Sequence, residues 1–513
     1  MTDDAFEGLI SGERRLSRGE LAGRVARAAA GFDALGVGEG ASVALLLRND
    51  FAFFEASLAA VRLGAYPVPI NWHFKADEVG YILRDCDARV LVVHADLLPA
   101  IQDGIPAGTT CLVVQTPPEV LGTYRIELEL ARVPSGAKDW DLWAGTHAPH
   151  QGAPRRPTYS MIYTSGTTGN PKGVRRHAPN AEDERVTEAL RRAVYGFREG
   201  MVCALPGPLY HSAPNSFGLR AARDAARTIL MPRFDAEELL AVIERHRVTH
   251  MFMVPTMFVR LLKLPEHVRR RYEVSSLEFI IHAAAPCPTD VKLAMIDWWG
   301  PVLHEFYGGT ESGPVTLSSS ADFLAHPGTV GRVVPGAIVR ALDEDGNDVP
   351  VGTPGELFMR IPYYPDFTYH NQPDKRREID RDGLISIGDV GYFDAEGYLY
   401  ICDRKRDMVI SGGVNIYPAE IEAAILALDG VKDCAVFGIP DAEFGEALMA
   451  IVEPQDTSAI TPADVRTHLR GHLADYKVPR RIEIGKDLPR EDSGKIFKRR
   501  LREPYWREAG RAI

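Results

Sequence analysis

The 513-residue chain has only six cysteines, Cys86, Cys111, Cys203, Cys287, Cys402 and Cys434, far apart and with no CxxC pair. That spacing excludes a disulfide scaffold, offers no zinc-type ligand set, and fits free thiols in a reducing cytoplasm. Basic charge is also short: 59 Lys and Arg stand against 70 Asp and Glu, a net charge of −11, with no long block of one sign. No nucleic-acid partner is expected, because nothing supplies a broad basic footprint. The cluster Lys498, Arg499, Arg500 and Arg502 reads as a solvated helix face. Apolar runs stay well below the ~18 residues of a membrane span, and the run 251–259 is broken by Pro255. The first residues carry Asp3, Asp4 and Glu7 in place of the basic-then-apolar order of a secretory leader. These absences point to a cytoplasmic protein without a membrane span.

What is present is an ordinary globular composition, 45% apolar and 25% charged, in a chain too long for one hydrophobic core. Short apolar runs rich in β-branched residues at 43–47, 90–93, 161–164 and 279–281 read as buried strands. Helical spacing at 21–35 and 236–246 separates them, so an α/β fold of layered sheets is expected, with ligands at the carboxyl ends of strands. Between 328 and 400 the texture turns to short strands punctuated by Gly and Pro, which predicts a β-rich subdomain. Residues 397–401 read as a last strand, and Pro418, Glu420 and Glu422 open a helix whose apolar stripe is Ile421, Ile425 and Leu428, with Gly430 to end it. The expected organisation is a large N-terminal domain, 1–402, a charged hinge, 403–407, and a small α+β domain, 408–513. A small domain hung on a charged linker suggests movement.

The sharpest chemical signal runs from Thr164 to Val174, TSGTTGNPKGV. A strand enters a loop with Gly166, Gly169 and Gly173, hydroxyls at Thr164, Ser165, Thr167 and Thr168, and one cation, Lys172. Glycines let the backbone approach an anion, amides and hydroxyls donate to phosphate oxygens, and the lysine adds a compact positive charge. It is not a Walker loop, because Pro171 stands where that pattern needs glycine before lysine.

With this loop the chain resembles the acyl-adenylate-forming superfamily of acyl-CoA synthetases, adenylation domains and luciferases. Further motifs of that family follow in order: Tyr307-Gly-Gly-Thr-Glu311; Gly328 to Arg332 with Pro335 and Gly336; Gly388-Asp389 with Gly391-Tyr392; Asp403-Arg404 through Asp407; and Leu488-Pro489 through Gly494-Lys495. The resemblance covers essentially the whole chain. It implies ATP, Mg²⁺ and coenzyme A as cofactors and a small-molecule carboxylic acid as partner. By the same resemblance the 164–172 loop, including Thr164, Ser165, Gly166, Thr167, Thr168, Gly169 and Lys172, cradles the leaving phosphates. Thr310 touches phosphate and Glu311 helps hold the metal. Tyr307 stacks on adenine beside Ala284, Ala285 and Pro286, and Gly308 and Gly309 follow it. Asp389 accepts from the ribose with Arg404 assisting. Lys495 bridges the acid carboxylate and the α-phosphate, Arg406 is the hinge, and Ser411, Gly412 and Gly413 line the thiol tunnel after the small domain turns. Arg406 replaces the usual Asp or Lys of the hinge, and a long charged side chain still suits a pivot. The family's Arg-Gly-Pro and Gly-Tyr pattern after Gly355 is absent here, and the residues give no functional account of that change.

Among branches, an amino-acid-activating domain needs an acidic partner for the substrate ammonium near 206–214, and Tyr210-His211-Ser212-Ala213 offers none. A luciferase-like oxidation and a nucleotide- or acyl-binding relative without chemistry stay open, the latter disfavoured by Lys172, Glu311 and Lys495 together. Acid–CoA ligation is the preferred reading. His211 is expected to gate the acid pocket, with Asn215, Phe217, Val315, Gly308 and Gly309 on its wall, and His282 either on the wall or donating a hydrogen bond. The two glycines suggest a roomy pocket, hence a medium-to-long fatty acid or a bulky alicyclic or steroid-type acid over acetate. No arginine is evidently placed to grip a second carboxylate, so a dicarboxylic acid is disfavoured. The oligomeric state is not written in the sequence, and a homodimer is compatible with it.

Overall fold

The structure, a computed structural model, describes residues 6–164, 171–404, 407–411, 414–441, 444–455, 459–490 and 496–508. Its expected elements form where local chemistry places them. The helix Arg18–Ala34 starts on a capping box in which Ser17 accepts from the Glu20 amide and Glu20 returns the bond to Ser17. The helix Ala236–His246 is capped by Asp235, carries Glu237 and Glu238 in its first turn, and stops at Arg247 in the left-handed conformation, φ 51°.

Two layered sheets build the N-terminal part. In the first, all-parallel sheet, Ser42–Leu46 lies between Tyr66–Pro69 and Ala88–His94, followed by Thr110–Val114 and Lys138–Asp139. Its strands are nearly continuous apolar runs because both faces are covered. The nine-stranded second sheet has a parallel centre of Leu303–Gly309, Phe279–His282, His250–Met253, Val202–Leu205, Arg227–Leu230 and Gly8–Ser11. Antiparallel strands close both of its edges. The expected β-rich subdomain is an antiparallel sheet of Ile338–Leu342, Gly355–Arg360, Leu384–Phe393, Asp380–Arg381 and Leu399–Arg404. Its last strand runs beyond residue 401, because Arg404 still pairs with Asp389.

One arrangement was not legible in the sequence. Ile162–Thr164 and Lys172–Arg176 form a hairpin, and the distant strand Phe367–Tyr369 joins it to make a three-stranded sheet. This pairing puts the stems of the 164–172 loop, Thr164 opposite Lys172, beside residues from the β-rich region.

After the linker, Val409–Ser411, Val414–Ile416, Val431–Asp441, Gly445–Pro454 and Arg481–Ile484 form a fifth sheet, packed by the helices Pro418–Leu426 and Pro462–His472. Val409, Ile421, Ile425, Val452 and Leu469 belong to a separate apolar cluster confined to this part. The helix stops at Leu426, four residues short of Gly430, which turns the chain with φ 86° into the next strand. Asp403 reaches across from the linker and accepts from the Ala419 amide at 2.9 Å, satisfying an orphan donor of that helix. Lys498, expected on a solvated face, instead pairs with Glu422 at 2.8 Å, and of the two only Lys498 belongs to the terminal helix Lys498–Glu508.

Under the second sheet the ammonium of Lys292, fully buried, donates to Glu305 at 2.7 Å and stands 4.2 Å from the Phe323 ring. Removing one partner strands a buried charge. Lys292→Met should destabilise the protein by about 3 kcal/mol, and the double variant Lys292→Met/Glu305→Gln should recover most of it, read as thermal-unfolding midpoints.

Candidate active site

The carboxyl ends of the parallel strands, the three-stranded sheet and the small C-terminal part open onto one cleft of about 3130 Å³. After Phe279–His282 the chain turns through Ala284, Ala285 and Pro286, all on the cleft wall. Ala284 holds φ 78°, a left-handed conformation that costs a non-glycine residue on the order of 1 kcal/mol or more. The neighbouring strand delivers Tyr307, whose hydroxyl donates to Asp389 Oδ2 at 2.8 Å. Asp389 lines the cleft on its own strand, directly across from Arg404. An aromatic ring, a backbone turn and a carboxylate therefore face one space from three elements.

A few residues on, Glu311 Oε1 accepts from the Tyr369 hydroxyl at 2.9 Å. Lys172 Nζ lies 5.1 Å from the Tyr369 ring, and the Thr164 hydroxyl meets the Lys172 carbonyl at 3.5 Å. Lys172, Thr164, Thr310 and Glu311 thus share one end of the cleft. A single carboxylate there suits Mg²⁺, which keeps waters and phosphate oxygens as its other ligands. Among the described residues no cluster of three or more His, Cys, Asp or Glu could hold a metal by itself.

Sequence reasoning missed the residue that organises this end. Arg176, buried, donates through Nη2 to the carbonyls of Thr310 at 2.5 Å and Glu311 at 2.9 Å, and through Nη1 to the Pro365 carbonyl at 2.6 Å. Its only sequence signal is a second arginine in a strand of alternating character, which a solvated edge would show equally well.

The acid side departs further from expectation. His211 caps the helix Ser212–Asp224 and lines the cleft, as does Asn215, whose side-chain amide donates to the Leu209 carbonyl at 2.9 Å. His282, Val315 and Phe217 do not line it. His282 is fully buried behind the wall, edge-on to Phe258 at 5.3 Å. Val315 points into the core, and Phe217 packs on Phe197 at 5.2 Å and Tyr195 at 5.6 Å. Gly308 and Gly309 border the cleft, but their missing side chains make little room. A Cβ on Gly308 would lie 1.9 Å from the Gly313 carbonyl, at a bulge between paired strands, and one on Gly309 would meet Ile387 at 3.0 Å. The glycines serve close backbone approach. Two arginines that the sequence did not single out, Arg191 and Arg220, come from different helices to line the cleft wall.

Ser165, Gly166, Thr167, Thr168, Gly169, Arg406, Gly412, Gly413 and Lys495 lie outside the described residues, and Arg404 is described only by its backbone. Ser411 ends a strand of the small sheet and does not line the cleft.

A cleft at the carboxyl ends of α/β strands, bordered by a small C-terminal part, is the kind of site this fold defines. Residues 3–364 match the model of the AMP-binding enzyme family, and residues 420–495 match that of the AMP-binding enzyme C-terminal domain. The chain is 33% identical over 503 residues to a feruloyl-CoA synthase of an Amycolatopsis species, covering 96% of this chain and 95% of that one. It is 32% identical over 493 residues to a long-chain-fatty-acid–CoA ligase of Mycobacterium tuberculosis, covering 96% and 93%. The ATP-bound structure of MatB from Rhodopseudomonas palustris superposes with a TM-score of 0.83 at 29% identity, covering 98% of this chain and 97% of that one. The protein belongs to the AMP-binding enzyme family and is an adenylate-forming acid–CoA ligase.

Tyr364 offers a spectroscopic handle on the cleft. Its enclosure alone would push the phenol up, but Arg191, then Arg176 and Arg220, bring it from the usual 10 down to about 8. Stability from its ionised form is therefore full above pH 10 and lost as pH falls through about 8. Phenolate absorbance should show one tyrosine ionising near pH 8, and Tyr364→Phe should remove that step; an unchanged titration would contradict it.

Proposed function

We propose that this enzyme activates a bulky carboxylic acid as its acyl-adenylate, releasing pyrophosphate, and passes the acyl group to the thiol of coenzyme A. The observation that carries the reading is the convergence of Tyr307, Asp389, Lys172 and Glu311 on one cleft from three separated segments. The carboxylate that attacks, and the α-phosphate that it attacks in line, are both anionic. The protein's task is to position them and neutralise charge.

In this reading Tyr307 stacks against adenine across from Ala284, Ala285 and Pro286, and its hydroxyl bond holds Asp389 in place to accept from the ribose. Arg404, opposite Asp389 in register, assists. Lys172, Thr310 and the hydroxyl loop neutralise the leaving phosphates. Glu311 would hold Mg²⁺, which when bound spreads phosphate charge. His211 stands at the entrance of the acid pocket. Lys495 bridges the acid carboxylate and the α-phosphate as negative charge builds. We place the domain division at 1–402, 403–407 and 408–513, with Arg406 as pivot. Rotation then exchanges Lys495 for the loop of Ser411, Gly412 and Gly413 as the thiol enters, a gating step.

A bulky acid, of the medium or long fatty, alicyclic or steroid-type class, is preferred over acetate. Support comes from the aromatic lining at Tyr159, Tyr195, Phe252 and Phe306 and from relatives named for feruloyl and long-chain acyl groups. Acetate emerging as the best substrate in an acid panel would overturn that preference.

Pyrophosphate release from ATP with a panel of acids, with and without coenzyme A, tests the activity; no AMP with any acid would refute it. Lys495→Ala should lose adenylate formation by several orders of magnitude yet still make thioester from supplied acyl-adenylate. Equal loss of both half-reactions would count against domain alternation. Arg176→Met should raise KM for ATP at least about tenfold, since three carbonyls lose a charged donor.

A further inference from the structure

Three guanidiniums gather on one wall of the cleft, and their circumstances differ. Arg176 spends its donors on three backbone carbonyls. Arg220, from Ser212–Asp224, donates to Glu188 at 3.1 Å and to the Ser216 hydroxyl at 3.0 Å. Arg191, from Ala181–Tyr195, is 2% exposed and held between two rings, Tyr159 at 4.5 Å and Tyr364 at 4.6 Å. Its Nε and Nη1 make no hydrogen bond among the described residues, and the phenols of Tyr364 and Tyr159 are its polar partners, both favouring the charged guanidinium.

The nearby negative charge does not match. Glu188 is shared between Arg220 and Arg223, and Glu184 accepts from the Tyr159 hydroxyl at 2.6 Å. Glu311, beyond the Thr310 carbonyl, acts on Arg176 only from a distance. A buried cation without its counter-charge is costly, and a native fold keeps one where something anionic arrives. The groups that flank Arg191 directly are two phenols, Tyr159 and Tyr364, and no carboxylate among the described residues pairs with it. Guanidinium forks are shaped for carboxylates.

We propose that the wall formed by Arg191 and Arg220 is a second-anion subsite: the acid this enzyme activates carries, at its far end, another carboxylate or similar anion that docks there. The subsite rests on the acid–CoA ligase reading and names its substrate class. The helix Ser212–Asp224 gives the scale. Arg220 follows the entrance residue His211 by nine positions, or roughly 13 Å along the helix axis. The second anion therefore sits well away from the reacting carboxylate. A long or bulky diacid spans that distance, and a short one such as malonate does not.

The test compares dicarboxylic acids of graded length with their mono-methyl esters and with monocarboxylic acids of equal length, followed by pyrophosphate release. A diacid of fitting length should exceed its half-ester in kcat/KM by roughly 10- to 100-fold. Arg191→Met and Arg220→Met should each collapse that ratio, chiefly by raising KM for the diacid, and Arg191→Lys should keep part of it. Half-esters or monoacids equal to or better than every diacid in the unmodified enzyme would overturn the subsite, as would a ratio unchanged in the Met variants. If a variant does not fold, the unmodified enzyme's ratio decides. Turnover of neutral acids alone defeats the subsite and leaves the ligase reading standing, whereas no pyrophosphate with any acid defeats the ligase reading itself.

Discussion

The guanidinium of Arg176 is the point on which the site depends. It lies in the hairpin whose stems carry Thr164 and Lys172, in register with Phe367 of the third strand, and it holds the carbonyls of Thr310, Glu311 and Pro365. It adds charge-assisted bonds across a corner that the pairing of Phe367–Tyr369 and the Tyr369–Glu311 bond also tie together. Lys172, Glu311 and Tyr369 share that corner. The cost of burying a cation is offset by charge-assisted bonds to carbonyls that would otherwise face an apolar interior.

The same economy of charge runs through the rest of the cleft. The chain is acidic overall, yet it concentrates the buried guanidiniums of Arg176, Arg191 and Arg220 on one wall of the cleft. The Tyr307–Asp389 bond fixes a buried carboxylate beside the cleft. Lys292 is fully buried and paired with Glu305, a residue that borders the cleft. Positive charge that faces the cleft without full compensation can serve an anion; positive charge that is paired behind the wall supports the backbone.

The α/β layering, the helix 236–246 and the β-rich stretch were legible because each has a local cause: an apolar run, a capping Asp235, or a Gly-punctuated texture. The nucleotide motifs were legible for another reason, since order and spacing of Tyr307, Asp389 and Lys172 survive any fold. The acid pocket was not. Phe217 and Val315 are apolar residues on elements that border the cleft, and only the facing direction of each side chain sends them into the core. Gly308 looked like an absent wall residue, and it is a backbone contact across a bulge.

By itself the sequence determined the class of chemistry and the motifs that carry it, because order and spacing are local features that travel with the chain. Only the tertiary structure decided which side chains line the cleft. Arg176, Arg191 and Arg220 are separated by many residues and look like ordinary surface arginines. Two helices and a hairpin, packed against one another, bring their charges within one wall.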